Sequence, residues 1–350
     1  MLAAASLLPL ACRSRVAAPD SAPASPVGSY APDRVAGFSE GLARIELDGK
    51  HGFIDHEGHV LIAPRFSRAR SFSGGLAMIG EGARYGFIDK TGKIVIDPDY
   101  EQAGDFFEGL AAVLVDKRWG FVDATGRTVI APQFECVGSG FSEGLVGIWV
   151  NGRWGFADRD GRLAIHPRYD AVQGFGRLAL APARQGKAWG FIDRTGKFAI
   201  PAQFFLVGPF FGEPPLAHAT PLPYGQFGFI DSSGKWAYRA PSNAMIMGMS
   251  EGFWLAYMDV QGQWLGGYMD QQGKWVVRPQ YQEVGGFCEG LANVRVPRGK
   301  VGYIDKTWTM VIQPQFDEGA QFLDGRARVR VGDKWGYIDR TGAWIWKPTK

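Results

Sequence analysis

The chain has 350 residues, a formal net charge of +3 and 46% hydrophobic residues. Its Lys and Arg residues are spread along the chain, so it has no concentrated basic stripe and nucleic acid is not an expected partner. The 49 Gly and 21 Pro supply turns at a density that leaves little room for long helices. The composition therefore predicts a folded β protein, and no stretch approaches the ~20 apolar residues of a membrane-spanning helix.

The N-terminal segment differs in character from the rest of the chain. Residues 1–12 are mostly apolar and end in Leu10-Ala11-Cys12, which resembles the end of a bacterial lipoprotein signal, although Pro9 and the lack of a preceding Lys or Arg depart from that pattern. We expect lipidation at Cys12, and we expect residues 13–36, rich in Pro, Ala and Ser, to form a disordered tether. The protein is then expected to be exported, as a periplasmic, outer-membrane or surface lipoprotein. A disordered apolar start is the alternative. A start codon placed too far downstream would explain the missing positive charges.

A motif of aromatic-Gly-aromatic-x-Asp recurs along residues 37–350. Its Gly lies at positions 52, 86, 120, 155, 190, 228, 267, 302 and 336, and subtracting successive positions gives steps of 34, 34, 35, 35, 38, 39, 35 and 34 residues. A steady period of this length indicates one supersecondary unit copied in tandem. The sequence therefore predicts nine repeats, with an irregular stretch at residues 201–270.

The third repeat shows the predicted unit most clearly. Residues 110–115, 119–122 and 127–130 are apolar or alternating runs. A Glu-Gly turn precedes the first run, Asp116-Lys117-Arg118 separates the first two, and an Asp-Ala-Thr-Gly turn separates the last two. Pro132 ends the third run because proline cannot donate to a strand ladder. Each repeat is thus predicted to be a three-stranded antiparallel meander followed by a loop. A lone meander is marginally stable, so we expect aromatic rings such as Trp119 and Trp154 to be wedged between neighbouring repeats.

The motif at residues 153–161 and 334–342, Lys/Arg-Trp-Gly-Phe/Tyr-x-Asp-x-x-Gly, resembles the bacterial WG-repeat family. The resemblance implies an array of β repeats in an envelope or surface protein, mostly without an assigned activity. Some copies depart from the pattern and are expected to pack less tightly. His51 and Val301 replace the first aromatic, Gly266 leaves that position empty, and Trp308 is expected to disrupt its hairpin turn.

The predicted fold is all-β: an elongated, curved, β-solenoid-like array of about nine three-stranded antiparallel meanders. A closed β-propeller is the alternative, and it is disfavoured because propeller blades normally have four strands and 40 or more residues. The last copy ends in Trp344-Ile345-Trp346-Lys347-Pro348 and has no successor to cover it. We therefore expect that end to be a dimer or partner contact.

No catalytic constellation is evident, so we predict no enzyme activity, no cofactor and no metal. The motif aspartates, Asp55 through Asp339, are interpreted as caps of hairpin turns in preference to a ladder of cation ligands. His51, His56 and His59 form the one His cluster, and we interpret it as an exposed hairpin tip because no further ligand lies nearby.

The irregular stretch carries the predicted function, because insertions in repeat arrays often form the binding face and Met-rich surfaces adapt to partners. The alternative interpretation is that these residues fill a worn interface between repeats. We expect a non-enzymatic binding or scaffolding module of the cell envelope that recognises a protein or polysaccharide; a cell-wall or glycan hydrolase is the alternative. The candidate partner surface comprises Phe210, Phe211, Met245, Met247, Met249, Trp254 and Tyr257.

Overall fold

The structure is a computed structural model that describes residues 38–346, apart from 57, 213, 223–227, 240–243 and 271–272. Cys12, the segment 1–12 and the tether 13–36 lie outside the described residues. Within them, no helix has the length and apolar character needed to cross a membrane.

The described chain consists of antiparallel strands and one 3-10 turn, Arg177–Ala179. The first sheet has three strands, β1 Ala43–Leu47, β2 Lys50–Ile54 and β3 Val60–Phe66. The next three sheets have four strands each: β4 Arg68–Ala69, β5 Ala77–Glu81, β6 Arg84–Ile88 and β7 Ile94–Tyr100; β8 Gln102–Phe107, β9 Leu110–Val115, β10 Arg118–Asp123 and β11 Thr128–Phe134; β12 Cys136–Val137, β13 Val146–Val150, β14 Arg153–Ala157 and β15 Leu163–Tyr169.

A seven-stranded sheet holds the fifth and sixth repeats, which share the long strand β19. Its strands are β16 Ala171–Val172, β17 Ala181–Gln185, β18 Ala188–Ile192, β19 Phe198–Phe211, β20 Leu216–Pro221, β21 Gly228–Ile230 and β22 Trp236–Arg239. The last three sheets again have four strands: β23 Ala244–Ser250, β24 Phe253–Val260, β25 Gln263–Met269 and β26 Trp275–Tyr281; β27 Glu283–Val284, β28 Leu291–Arg295, β29 Val301–Asp305 and β30 Met310–Phe316; β31 Glu318–Leu323, β32 Arg326–Val331, β33 Lys334–Asp339 and β34 Trp344–Trp346.

The all-β prediction is confirmed, but the count of three strands per repeat is wrong. The segment predicted to be a connecting loop contains a further strand, such as β8 or β12, which pairs with the first predicted strand of its repeat. β12 is only two residues long, and strands this short leave no alternating pattern in the sequence. The number of strands per repeat is therefore no longer an argument against a β-propeller.

The motif glycine is required by a close approach between strands. A Cβ atom built on Gly155 would lie 2.4 Å from the carbonyl oxygen of Ile165 and 2.7 Å from the nitrogen of Pro167. The strand pairing shifts register on both sides of Phe156, so the third strand bends across the glycine. Pro167 lies on the edge strand β15, where a missing N–H breaks no ladder. Pro132 likewise lies inside the edge strand β11, so the expectation that it ends the third strand is wrong.

The second aromatic of the motif forms the centre of each repeat's core. It is at most 1% exposed in all nine copies, namely Phe53, Phe87, Phe121, Phe156, Phe191, Phe229, Tyr268, Tyr303 and Tyr337. The first aromatic varies more: Trp119 and Trp154 are buried, whereas Trp189 and Trp335 are half-buried. Trp119 and Trp154 pack in clusters with residues of the following repeat, as expected. The first position is nevertheless buried in only some copies, whereas the ring after the glycine is buried in all nine.

Consecutive repeats meet through one recurring ring pair. The second aromatic of a repeat contacts the Phe that opens the next repeat, with ring centroids 4.9 Å apart for both Phe121–Phe141 and Phe156–Phe175. The same contact joins Tyr303 to Phe322 at 4.9 Å. Edge-to-face pairs of this kind add about 0.5–1.5 kcal/mol to the burial of the rings.

A carboxylate contact lies beside this ring pair. In the turn that follows the opening Phe, Glu108 accepts a hydrogen bond from the backbone N–H of Gly144 in the next repeat at 3.0 Å. Arg159 of that repeat pairs with the same carboxylate at 3.4 Å. Glu251 and Glu289 make the corresponding contacts to Gly290 and Lys306 and to Gly325 and Arg340.

The chain forms two compact units. One contains residues 65–202 with 49–51, and the other contains the described residues within 38–48, 52–64 and 203–346. Within the second unit, the first repeat packs against the last: Phe38 lies 4.9 Å from Tyr337, and Arg326 Nε donates a 2.8 Å hydrogen bond to the His56 carbonyl. Trp346 belongs to the same core cluster. The expectation that the last copy has nothing to cover it is therefore wrong.

Candidate functional site

The motif aspartates accept hydrogen bonds within their own hairpins. Asp123 Oδ1 accepts hydrogen bonds from the Thr125 backbone N–H at 3.0 Å, the Thr125 hydroxyl at 2.6 Å and the Arg127 backbone N–H at 3.1 Å. These bonds, that of the Thr125 hydroxyl first, lower the pKa of Asp123 from its usual 3.8 to about 2. The predicted turn caps are present. The described residues contain no group of three or more His, Cys, Asp or Glu placed to hold a metal.

The His cluster makes structural contacts. His56 stacks on Phe38 with ring centroids 4.6 Å apart, and His59 Nδ1 lies 3.1 Å from the Asp55 carboxylate. The turn variant at Trp308, in the eighth repeat, also keeps its hairpin contacts. Its N–H bonds to the Asp305 carbonyl at 2.9 Å and the residue adopts a φ of 68°, so the hairpin is kept and the expected disruption is wrong.

In the repeat that lacks a first aromatic, a side chain from β27, the first strand of the next sheet, fills the space. A Cβ built on Gly266 would lie 2.7 Å from a methyl carbon of Val284, so that side chain occupies the space. The position predicted to be empty is therefore packed. Val301, which replaces the aromatic in the next repeat, is 2% exposed.

The candidate partner surface is divided by the structure between core and exterior. Phe210 is 5% exposed and Trp254 is 1% exposed, so their assignment to a surface is wrong. Side chains alternate between the two faces of a strand, and both of these residues are on the inward face. Phe211 and Met249 pack against the cluster around Trp254. Met245 and Tyr257 pair across β23 and β24 and are half-buried, and the Tyr257 hydroxyl accepts the Val284 N–H at 3.0 Å.

Met247 is the one predicted surface residue that is largely exposed, at 59%. It lies at a register shift between Ile246 and Gly248, where β23 carries one more residue than its partner β24. The extra residue of such a bulge is left out of the pairing, which explains why its side chain faces solvent.

Sequence reasoning missed Trp264, the only one of the 12 tryptophans that is largely exposed. Its side chain is 48% exposed. It lies on the hairpin of β24 and β25, whose strands have eight and seven residues, whereas the equivalent strands β13 and β14 have five each.

The register shows where the added length lies. In the fourth repeat, two residue pairs follow the pair of the motif glycine, Ile148 with Gly155, before the hairpin closes. In the seventh repeat, four pairs follow Ala256 with Gly267, and the two added ones are Asp259 with Trp264 and Val260 with Gln263. The four inserted residues account for the step of 39, so Trp264 has no counterpart in a regular repeat.

The same loop edge carries an ion pair in three regular repeats, whereas the first repeat has the neutral Ser67 at that position. In those three repeats the residue that follows the third strand is a carboxylate paired with a cation of the preceding hairpin: Arg118 with Glu135 at 3.8 Å, Arg153 with Asp170, and Lys300 with Asp317. Around the irregular repeats this position is neutral. Phe205, which is 41% exposed, and Gln282 stand there.

The fold and the recurring turns define an all-β tandem-repeat protein, and comparison with known families identifies which one. The family model described as "WG containing repeat" matches residues 33–50, 52–82, 85–119, 119–154, 154–187, 189–213, 267–300 and 302–335. The chain belongs to this family. Residues 214–266, which include the extended hairpin, lie outside the matched repeats.

Solved structures give a likeness of fold. The chain is similar to a structure titled "Crystal structure of the eukaryotic initiation factor", with a TM-score of 0.62, 10% identity, and coverage of 87% of this chain and 94% of that one. BamB from Moraxella catarrhalis gives a TM-score of 0.40 at 12% identity, covering 79% and 94%, which is too low to bear on the fold. No curated protein matches the chain significantly.

Proposed function

We propose that this protein is a non-enzymatic binding or scaffolding module of the cell envelope, which recognises a protein or polysaccharide through its repeat surface. One observation carries the proposal. The hairpin of β24 and β25 extends two residue pairs beyond the repeat pattern, and the added part carries the exposed Trp264. The repeat architecture does not need this extension, and exposed aromatic side chains are a common basis of recognition.

The use of the recurring polar groups supports a module without a catalytic step. Asp123 and its equivalents cap turns, and Glu108, Glu251 and Glu289 join neighbouring repeats. Glycoside hydrolysis, the alternative, requires two carboxylates placed on either side of a bound sugar. Carboxylates that already accept hydrogen bonds in turns and repeat contacts are poorly placed to act as the acid and base of glycoside hydrolysis.

Shortening the hairpin tests the proposal. Replacing residues 259–264 with Asn-Gly restores the regular length, because a two-residue turn then joins Met258 to Leu265, which are paired in the structure. Binding to isolated envelope fractions, separated into protein and polysaccharide, is measured for both forms by sedimentation. We expect the shortened form to lose binding while it keeps its melting temperature. Turnover of an envelope polysaccharide by the full chain would contradict the proposal.

We also propose that the protein is exported and anchored through Cys12, which lies outside the described residues. The Leu10-Ala11-Cys12 sequence and the Pro/Ala/Ser-rich segment behind it support this location. Palmitate labelling and membrane fractionation of the wild type and Cys12→Ser test it. Equal membrane association of both forms, without labelling, would contradict anchoring.

A further inference from the structure

Trp264 stands beside polar groups that can hydrogen-bond a ligand. Asp259 is directly opposite Trp264 in the antiparallel register, so the carboxylate and the indole project from the same face of the hairpin. Gln263 is opposite Val260 and adjacent to Trp264 in its strand, so it projects from the other face, and Gln261 lies in the exposed turn. The face therefore combines one flat apolar ring with one carboxylate.

The tip is held in one conformation by its own turn. Gln261 and Gly262 have φ values of 54° and 81°, and positive values at both central residues are typical of a tight two-residue hairpin turn. Asp259 Oδ1 accepts a 2.7 Å hydrogen bond from the Gly262 N–H. A ring presented from a fixed turn loses little conformational freedom when a ligand covers it.

The surroundings favour a sugar over a protein partner. A stable protein interface buries about 800 Å² per partner around a cluster of apolar anchors, whereas this tip offers one indole beside one carboxylate. The apolar face of a pyranose ring matches an indole, and its hydroxyl groups match a carboxylate partner.

We propose that the β24–β25 hairpin binds a neutral glycan chain, with one sugar ring stacked on Trp264 and its hydroxyl groups bonded to Asp259. This assignment rests on the proposed binding function and specifies its ligand class. No covalent step is involved.

Affinity electrophoresis of the full chain in gels that contain a neutral glycan tests the assignment. The probes are laminarin and hydroxyethyl cellulose as neutral polymers and alginate as an anionic one. We expect retardation by at least one neutral polymer, a loss of affinity of more than tenfold in Trp264→Ala, a smaller loss in Trp264→Phe, and a several-fold loss in Asp259→Ala. Binding should also change the fluorescence of the wild type and leave that of Trp264→Phe much less altered.

Leu163→Ala is the control, because Leu163 is 45% exposed on a regular repeat and lies in the other unit. It should bind like the wild type, and all variants should melt alike. Unchanged glycan binding in Trp264→Ala would overturn the assignment and leave the binding function standing. Retardation by alginate alone, or loss in Trp264→Ala of binding to a purified envelope protein with no glycan bound, would also overturn it. Hydrolysis of a bound polymer would instead overturn the proposed function.

Discussion

At the residue scale, most polar side chains of the motif have a hydrogen-bonding task inside their own hairpin. Asp89, Asp123, Asp193, Asp231 and Asp305 each accept a hydroxyl bond from a Thr or Ser two residues later. This bond is the leading cause of the lowered pKa in each of the five. In these five repeats the motif aspartate is therefore an ionised turn cap at neutral pH.

The first prediction concerns acid titration. Because the pKa of Asp123 is about 2 in the folded protein and 3.8 as its usual value, its contribution to stability is complete above pH 4 and is lost as the pH falls through 2. Carbon-detected NMR should find Asp123 titrating near pH 2, and Thr125→Val should raise that pKa toward 3.8. An unshifted pKa in Thr125→Val would show that the hydroxyl is not the cause.

The second prediction concerns the motif glycine. Gly155→Ala should lower the free energy of unfolding by about 3 kcal/mol, because the new methyl group meets backbone atoms that cannot move aside independently. Gly176→Ala is the control, since nothing lies within 4 Å of its Cβ position. Urea denaturation measures both, and equal effects would contradict the close-approach explanation.

At the element scale, the repeat contact depends on ring burial more than on charge. Phe141 is 2% exposed and touches Phe121 of the preceding repeat, whereas the Glu108 side chain is 35% exposed. Exposed ion pairs contribute little because water and salt screen them. The two kinds of contact therefore differ in strength although they recur together.

The third prediction separates these contacts. Phe141→Ala should cost about 3–5 kcal/mol, and Glu108→Gln less than about 1 kcal/mol. Hydrogen exchange should show lost protection in both the third and fourth repeats for Phe141→Ala only. A similar loss of protection in Glu108→Gln would show that the carboxylate contact contributes as much to the repeat interface as the ring pair.

The sequence predicted the strands of each repeat well, because apolar residues alternate and Gly-containing turns recur between them. It did not predict β12, since Cys136 and Val137 are too few to form a pattern. Trp119 and Phe121 are two residues apart and share a face, so the pattern left open which ring lies at the centre. Reasoning from composition placed Trp254 on the partner surface and missed Trp264. The exposed ring of Trp264 is found only when the strand register shows where the inserted residues lie.

At the scale of the whole molecule, residues far apart in sequence share one core. Phe38, Ile45, Tyr337 and Trp346 belong to a single cluster, and the hydrogen bond from Arg326 to His56 joins residues 270 positions apart. The Phe38–Tyr337 pair occupies the same positions as Phe121–Phe141. The last repeat therefore contacts the first as it would contact a successor.

The fourth prediction follows from this contact. Tyr337→Ala should remove hydrogen-exchange protection from residues 43–54 as well as from its own hairpin, because Phe38 loses its ring partner. Leu163→Ala should leave both segments unchanged. Loss confined to residues 326–346 would show that the first repeat holds itself together.

The pairing of the first and last repeats has a consequence during synthesis. A ribosome adds about 5–20 residues per second, so the 270 residues between His56 and Arg326 take roughly 15 to 50 seconds to appear. Throughout that interval the ring of Phe38 has no Tyr337 to cover it. The apolar face of the first repeat is therefore exposed until the last repeat has been synthesised.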